Sequence, residues 1–178
     1  MSKRRYFWID LEMTGLDPAK DRIVEAAVIV TNKLLEPVFE WESPVRQPQE
    51  ILDGMNDWCK RHHAASGLLE RIQEGITESE LDATLSEIAL KHFKKKNPCV
   101  IAGNSIAQDR KFIDAYLPTF SSRLHYRMLD VSSFKIVFRE MLGREFKKQN
   151  THRAIDDIRE SIAELKHYMS AIDASHLP

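Results

Sequence analysis

Acidic residues at two spacings, together with one histidine, are where this sequence could do chemistry. Asp10 and Glu12 stand two apart, Asp109 follows far along the chain, and His152, Asp156 and Asp157 open the last segment. Residues 5 to 12 (RYFWIDLE) are rich in aromatic and apolar side chains and lack Gly and Pro. Thr14 and Gly15 signal a turn just beyond, so the segment reads as a strand. Alternation puts Phe7, Ile9 and Leu11 on one face and Trp8, Asp10 and Glu12 on the other. The backbones of the two acids are then about 6–7 Å apart. Burial and like charge both disfavour two such anions, so a cation belongs beside them, and a divalent metal on oxygen ligands meets that need. The bland alternative is an edge strand whose acids face water.

The elements that must position these groups follow in order. Residues 22–31 (RIVEAAVIVT) read as a central strand, Asn32 and Lys33 as a hairpin turn, and residues 38–42 as a third strand. Three strands with short links imply an antiparallel meander with the Asp10/Glu12 strand at one side, ended by Pro44 and Pro48. Ile51, Leu52, Met55 and Trp58 are spaced as a helical face, with Gly54 and Gly67 cutting this region into short helices. Thr77 to Glu80 has the form of a capping box, and Leu81, Leu85, Ile88, Ala89 and His92 follow on one stripe, a helix of about five turns. Lys94, Lys95 and Lys96 at its end complement the helix dipole. Residues 98–103 read as a short buried strand, and Ser105 as the N-cap of a helix over 106–116 that carries Asp109 near its start. Residues 127–131 give another strand, and Ser132 and Ser133 start a helix to Leu142. From Thr151 a long helix places Ile155, Ile158, Ile162, Leu165 and Met169 on one face. The class is α/β, a mixed sheet flanked by helices.

Bulk composition bounds the function. The 178 residues fit a single domain spanning 1–178, with 43% hydrophobic and 30% charged side chains. A net charge of −1 excludes a global positive field that grips a long nucleic acid by counterion release, but leaves open a short anionic substrate. Cys59 and Cys99 form no C-x-x-C pair and point to reduced thiols in a cytosolic setting; Cys59 and His62 have a ligand-like gap that no second pair completes. The basic start runs into Asp10 and Glu12, which a signal peptide would not contain, and no uncharged apolar run reaches the roughly 20 residues of a membrane span. Neither phosphate-cradling glycine motif, G-x-x-x-x-G-K-[ST] or G-x-G-x-x-G, is present.

Ligands gather at the C-terminal ends of strands in such sheets, and three sequence-distant groups converge there: Asp10/Glu12, Asp109, and the segment from His152 to Asp157. Carboxylates and one imidazole suit a pair of hard cations plus a titratable base, the combination a phosphodiester requires. One cation activates and orients water, the second takes up charge on the leaving 3′ oxygen, and a histidine titrating near 6.5 can accept the proton. Helical periodicity leaves open which acid of the last segment takes part: His152 and Asp156 are four apart on nearly one face, whereas Asp157 is turned away.

Asp10-x-Glu12, Asp109, and His152 followed five residues later by Asp157 resemble the three exonuclease motifs of the DEDDh family of the ribonuclease H-like fold. The words WIDLEMTGL (8–16), HHAASGL (62–68), AGNSIAQDRKF (102–112), HYRMLDVSS (125–133) and THRAIDDIRESIAELKHY (151–168) are similar to those of oligoribonucleases, and cover most of the chain. Asn150 departs from a glycine common before the Thr-His word, and Asn tolerates a left-handed backbone better than most residues. The resemblance implies that Asp10, Glu12, Asp109 and Asp157 hold two metals, Mg²⁺ or Mn²⁺, with His152 as general base on a lead-in loop. It also implies a closed pocket for two nucleotides of short RNA: Leu16 wedged against the bases, Trp58 and His63 beside the 3′ base, and the 5′ phosphate held by Ser105, Arg127, Ser132 and Ser133, with Tyr126 from the second subunit of a homodimer. Rival readings are a related exonuclease trimming longer DNA or RNA 3′ ends, a binding module that has lost its chemistry, and a nucleotide phosphatase. Taken singly, Trp58 reads as core, His63 as a surface or capping histidine, Ser132 and Ser133 as N-caps, and Leu16 as turn filler.

Overall fold

Strand β1 (Arg5–Met13) lies in the middle of a five-stranded sheet, not at its edge. The structure, a computed structural model, describes residues 4–94, 98–147 and 153–172. On one side of β1, β2 (Ile23–Asn32) and β3 (Pro37–Pro44) form the expected antiparallel meander. On the other, short parallel strands β4 (Ile101–Gly103) and β5 (Leu129–Asp130) complete the order β3-β2-β1-β4-β5. Pairing of β5 begins only at Leu129, so Arg127 and Met128 stand outside the strand expected for them.

The alternation of β1 separates two cores. Phe7, Ile9 and Leu11 pack with Leu85, Phe112 and Phe120 beneath α4 (Glu78–His92), α5 (Ile106–Tyr116) and α6 (Pro118–Ser121). Trp8 faces the opposite way, into Ile29, Phe138, Ile158 and Ile162 under α7 (Val131–Leu142) and α8 (Ala154–Met169). A register slip of one residue would drive Asp10 and Glu12 into the α4/α5 core, so burial of both faces locks their direction.

Helices α1 (Gln49–Asp53), α2 (Asp57–Ala65) and α3 (Leu68–Arg71) are short, as the glycines predict; Gly67 takes a left-handed φ of 71° between α2 and α3. Leu52, Met55, Cys59, Leu68 and Ile72 pack on Val24, whereas Trp58 is 63% exposed and leaves the core stripe expected of it. The capping box of α4 is formed: Glu80 N–H donates to Thr77 Oγ1 (3.2 Å) while Thr77 N–H donates to the Glu80 carboxylate (2.7 Å). At 15 residues α4 makes about four turns, not five. Lys95, Lys96, Asn150 and His152 lie outside the described residues. Among those described, no helix is long and apolar enough to cross a membrane.

Candidate active site

Three carboxylates meet above the polar half of β1. Oxygens of Asp10, Glu12 and Asp157 lie within 4.8 Å of one another. Helix α8 delivers Asp157 because Ile155, Ile158 and Ile162 seal it on the Trp8 face, with its first turn beside the end of β1. Asp156 is turned outward, 2.8 Å from Arg159 Nη1, while Arg159 Nη2 reaches Glu40 of β3 at 2.6 Å. Asp109 arrives by another route. On β1, β4 pairs with Phe7 and Trp8 and reaches no further, so the Leu11 N–H donates to Asp109 Oδ1 at 3.0 Å, which holds that 6%-exposed acid beside the strand.

The electrostatics call for a cation. Glu12 pairs directly across the ladder with Glu25, itself 2% exposed and partnered by Arg71 at 3.2 Å. Burial, then Asp157, Glu25 and Asp109, push Glu12 up to about 8. Burial likewise raises Asp109 above the carboxylate range, against the pull of the Leu11 N–H. Without a counter-charge this group cannot be fully ionised at neutral pH. An all-oxygen donor set of this acidity fits a hard divalent cation, with Asp10, Glu12 and Asp157 as the convergent donors and Asp109 adjoining.

Beside the acids runs a cleft of about 400 Å³, lined by Leu11, Glu12, Leu16, Trp58, Cys59 and His63 among others. Leu16 is 73% exposed at its mouth. Trp58 stacks one ring face on His62 at 4.6 Å between centroids, and much of its remaining surface is open. His63 is not a surface residue. It is buried, and Met13 O, which can only accept, takes the Nε2 proton at 2.9 Å. Its Nδ1 faces Glu12 at 3.9 Å, and burial holds the imidazole below its ordinary value.

Of the residues expected to hold the 5′ phosphate, two hydroxyls meet. Ser105 Oγ and Ser132 Oγ are 3.2 Å apart, and the Ser105 N–H donates to Ser132 Oγ at 2.9 Å. Ser105 takes the expected N-cap position of α5, but at φ 51° and with no capping hydrogen bond from its side chain. Ser132 is not a cap: Asp130 caps α7 by accepting the Ser132 N–H at 2.9 Å, and it also accepts the Ser105 N–H at 3.0 Å. Ser132 Oγ donates to Asn104 Oδ1 (3.1 Å). The amide of Asn104 is held by Ser161 and by Glu164 (2.8 and 3.0 Å), and Glu164 also accepts the Tyr168 hydroxyl. A buried polar chain from α8 thus orients Ser132. Ser133 lies exposed in the first turn of α7, whereas Arg127 stacks over exposed Tyr126 at 5.3 Å.

Sequence reasoning missed Glu25, although one acid in an otherwise apolar central strand is itself a signal. It also missed Asn104 and Asp130, whose parts depend on partners far along the chain and left no local trace.

A family model described as Exonuclease matches residues 7–165. The chain is 46% identical over 171 residues to an oligoribonuclease of Haemophilus influenzae, covering 93% of each, and 42% identical to a human mitochondrial oligoribonuclease, covering 95% of this chain and 73% of that one. Among solved structures, exonuclease I from Methylocaldum szegediense superposes with a TM-score of 0.75 at 18% identity over 94% of this chain. The chain spans 41% of that protein's length, and the likeness is one of fold.

Proposed function

We propose, because the chain belongs to the oligoribonuclease family of exonucleases, that it hydrolyses very short RNA from the 3′ end, dinucleotides above all, to 5′-mononucleotides. The observation that carries the reading is the convergence of Asp10, Glu12 and Asp157 beside a cleft walled by Leu16, Trp58 and His63. Two divalent cations, Mg²⁺ or Mn²⁺, held by those acids and Asp109, supply activation of water and charge at the leaving 3′ oxygen. His152, which lies outside the described residues, takes the proton of the attacking water in this reading. Trp58 offers a sequence-tolerant stacking surface, since every base has a π-face, and Leu16 presses on the bases from the other wall. Ser105, Ser132, Ser133 and Arg127 take the 5′ phosphate in this reading, supported for Ser105 and Ser132 by the 3.2 Å between their hydroxyls and their ties to Asn104 and Asp130.

The active form is a homodimer in this reading, in which Tyr126 reaches the partner's site. Support comes from the number of apolar side chains that α7 and the segment before it leave in water, Ile136, Val137, Met141 and Leu142 together with Tyr126 and Met128, which a second copy would cover. Met141→Glu with Ile136→Glu is expected to yield a monomer in sedimentation velocity with reduced dinucleotide turnover. A dimer of wild-type strength would remove this face from the interface. The setting proposed is the cytosol, where buried Cys59 and Cys99 stay reduced.

Rate against RNA length, from two to seven nucleotides and a 20-mer, with and without EDTA, tests the substrate assignment. The dinucleotide is expected to be cleaved fastest, and equal rates on the dinucleotide and the 20-mer would favour trimming of longer 3′ ends. Release of free phosphate in place of mononucleotides would point to a phosphatase.

A further inference from the structure

Leu16 is an apolar side chain held in water by a turn that has been made unusually rigid. Thr14 N–H donates to Arg22 O (2.9 Å), and the Arg22 N–H returns a bond to Thr14 Oγ1 (3.0 Å). Asp21 fills the turn from inside: its carboxylate accepts the Asp17 N–H (2.9 Å) and the Thr14 hydroxyl (3.1 Å). A Cβ on Gly15 would lie 2.4 Å from Asp21 Oδ2, so the backbone approaches that carboxylate as only glycine can. The hydroxyl of Tyr116, from α5, donates to Pro18 O, and its ring carries the Arg22 guanidinium at 4.5 Å.

The last tie comes from the acidic site itself. Gln108 Nε2 donates to the Leu16 carbonyl at 2.7 Å, and Lys111 Nζ fixes the same amide by donating to its Oε1 at 3.0 Å. Gln108 directly precedes Asp109 in the first turn of α5. Two successive residues of one helix therefore hold the wedge residue and enter the acidic group. Displacement of one relative to the other requires this hydrogen bond to break or the Gln108 side chain to leave its rotamer.

We propose that Gln108 is a positioning residue that sets the distance between Leu16 and the acidic group, and thereby selects which phosphodiester of a short RNA is presented. The inference rests on the reading that Leu16 contacts the bases. With the clamp intact, a two-nucleotide substrate is pinned between the wedge and the phosphate-binding hydroxyls. Without it, the turn keeps Asp21 but gives way under the bases, and the advantage of the shortest substrate shrinks.

The test is a double-mutant cycle on a diribonucleotide and a heptaribonucleotide, using Gln108→Met, which keeps the side-chain stem and removes the donor, with Leu16→Ala and the double variant. Gln108→Met is expected to raise the dinucleotide KM about three- to tenfold, the effect of one hydrogen bond, with kcat within about twofold and an unchanged melting temperature. Leu16→Ala is expected to raise the same KM about ten- to a hundredfold from lost apolar contact. In the double variant, Gln108→Met should add little, because the clamp acts through Leu16. A dinucleotide KM unchanged by Gln108→Met while Leu16→Ala raises it overturns the inference and spares the substrate reading. So does full multiplication of the two effects. No response to Leu16→Ala removes the substrate reading itself. If Gln108→Met lowers the melting temperature, Gln108→Ala replaces it under the same criteria.

Discussion

Asp157→Ala is expected to cut turnover of a diribonucleotide at least about a thousandfold at saturating Mn²⁺, while Asp156→Ala stays within about threefold of the unsubstituted protein. The first figure follows from losing one of three convergent donors, where a cation contributes several kcal/mol of transition-state stabilisation and each decade of rate corresponds to about 1.4 kcal/mol. The second follows from where Asp156 points: it forms a half-exposed pair with Arg159, which also holds Glu40. Surface pairs of this kind are worth about 0–1 kcal/mol, so its loss should be felt, if at all, as a small fall in melting temperature. The two acids are adjacent on α8, share its N-terminal dipole, and differ chiefly in direction. Steady-state rates on the two single variants decide the matter. The reverse ranking would mean that the acidic group is misassigned.

Withdrawal of divalent cation with EDTA is expected to abolish hydrolysis and, separately, to leave a protein that loses stability as pH rises from about 7 to 9. Glu12 is pushed up to about 8 in the folded protein, well above its ordinary 4.5. A carboxyl raised by folding contributes stability that is fully present below the unfolded value and disappears as pH climbs through the folded one. Asp109 moves in the same direction. His63 and His92 are held below 6.5 by burial, and their opposite contribution is complete once the pH exceeds that value, so between about 7 and 8 the carboxyls dominate. Nearer about 9 the buried thiols of Cys59 and Cys99, also raised by burial, add a loss of the same sign. Glu80 and Asp114 are held low and act only in acid, below this interval. Binding of a cation requires the ionised acids and releases their protons, so the gain in melting temperature on adding Mg²⁺ should grow from pH 6 to pH 9. Melts by circular dichroism at four pH values, with EDTA and with Mg²⁺, give both curves. A Mg²⁺ gain that is flat or falls with pH would be incompatible with a site built on protonated Glu12.

The two expected results draw on different kinds of information. That Asp10 and Glu12 share a face was legible from alternation alone, and the capping box at Thr77 from four residues, because strand period and capping are short-range geometry. The central place of β1 was not legible: it depends on β4, about ninety residues away, which takes up the side of β1 that an edge strand would expose. Taken singly, Trp58 reads as core from its spacing to Leu52 and Met55, whereas the resemblance puts it beside a base. The spacing does not carry through because α1 ends at Asp53 and α2 begins at Asp57, so Leu52 and Met55 are buried while the Trp58 ring is left at the cleft. Ser105 and Ser132 have the composition of N-caps, yet Asp130 accepts both of their amide protons and frees the hydroxyls for each other and for Asn104.

By itself, then, the sequence determined the strand and helix order, the two faces of β1, and which residue types were available for metal and phosphate. Each follows from rules that operate over a few residues. The motif resemblance already pointed to Asp157 where periodicity could not choose. Only the tertiary structure shows it beside Asp10 and Glu12 with Asp156 turned to Arg159, Glu25 and His63 pressing on Glu12, and Gln108 fastening Leu16 to the helix of Asp109. These are competitions among groups distant along the chain for the same few ångströms of space and the same hydrogen-bond donors. They are settled by how α5 and α8 seat against the sheet, a property that no local pattern encodes.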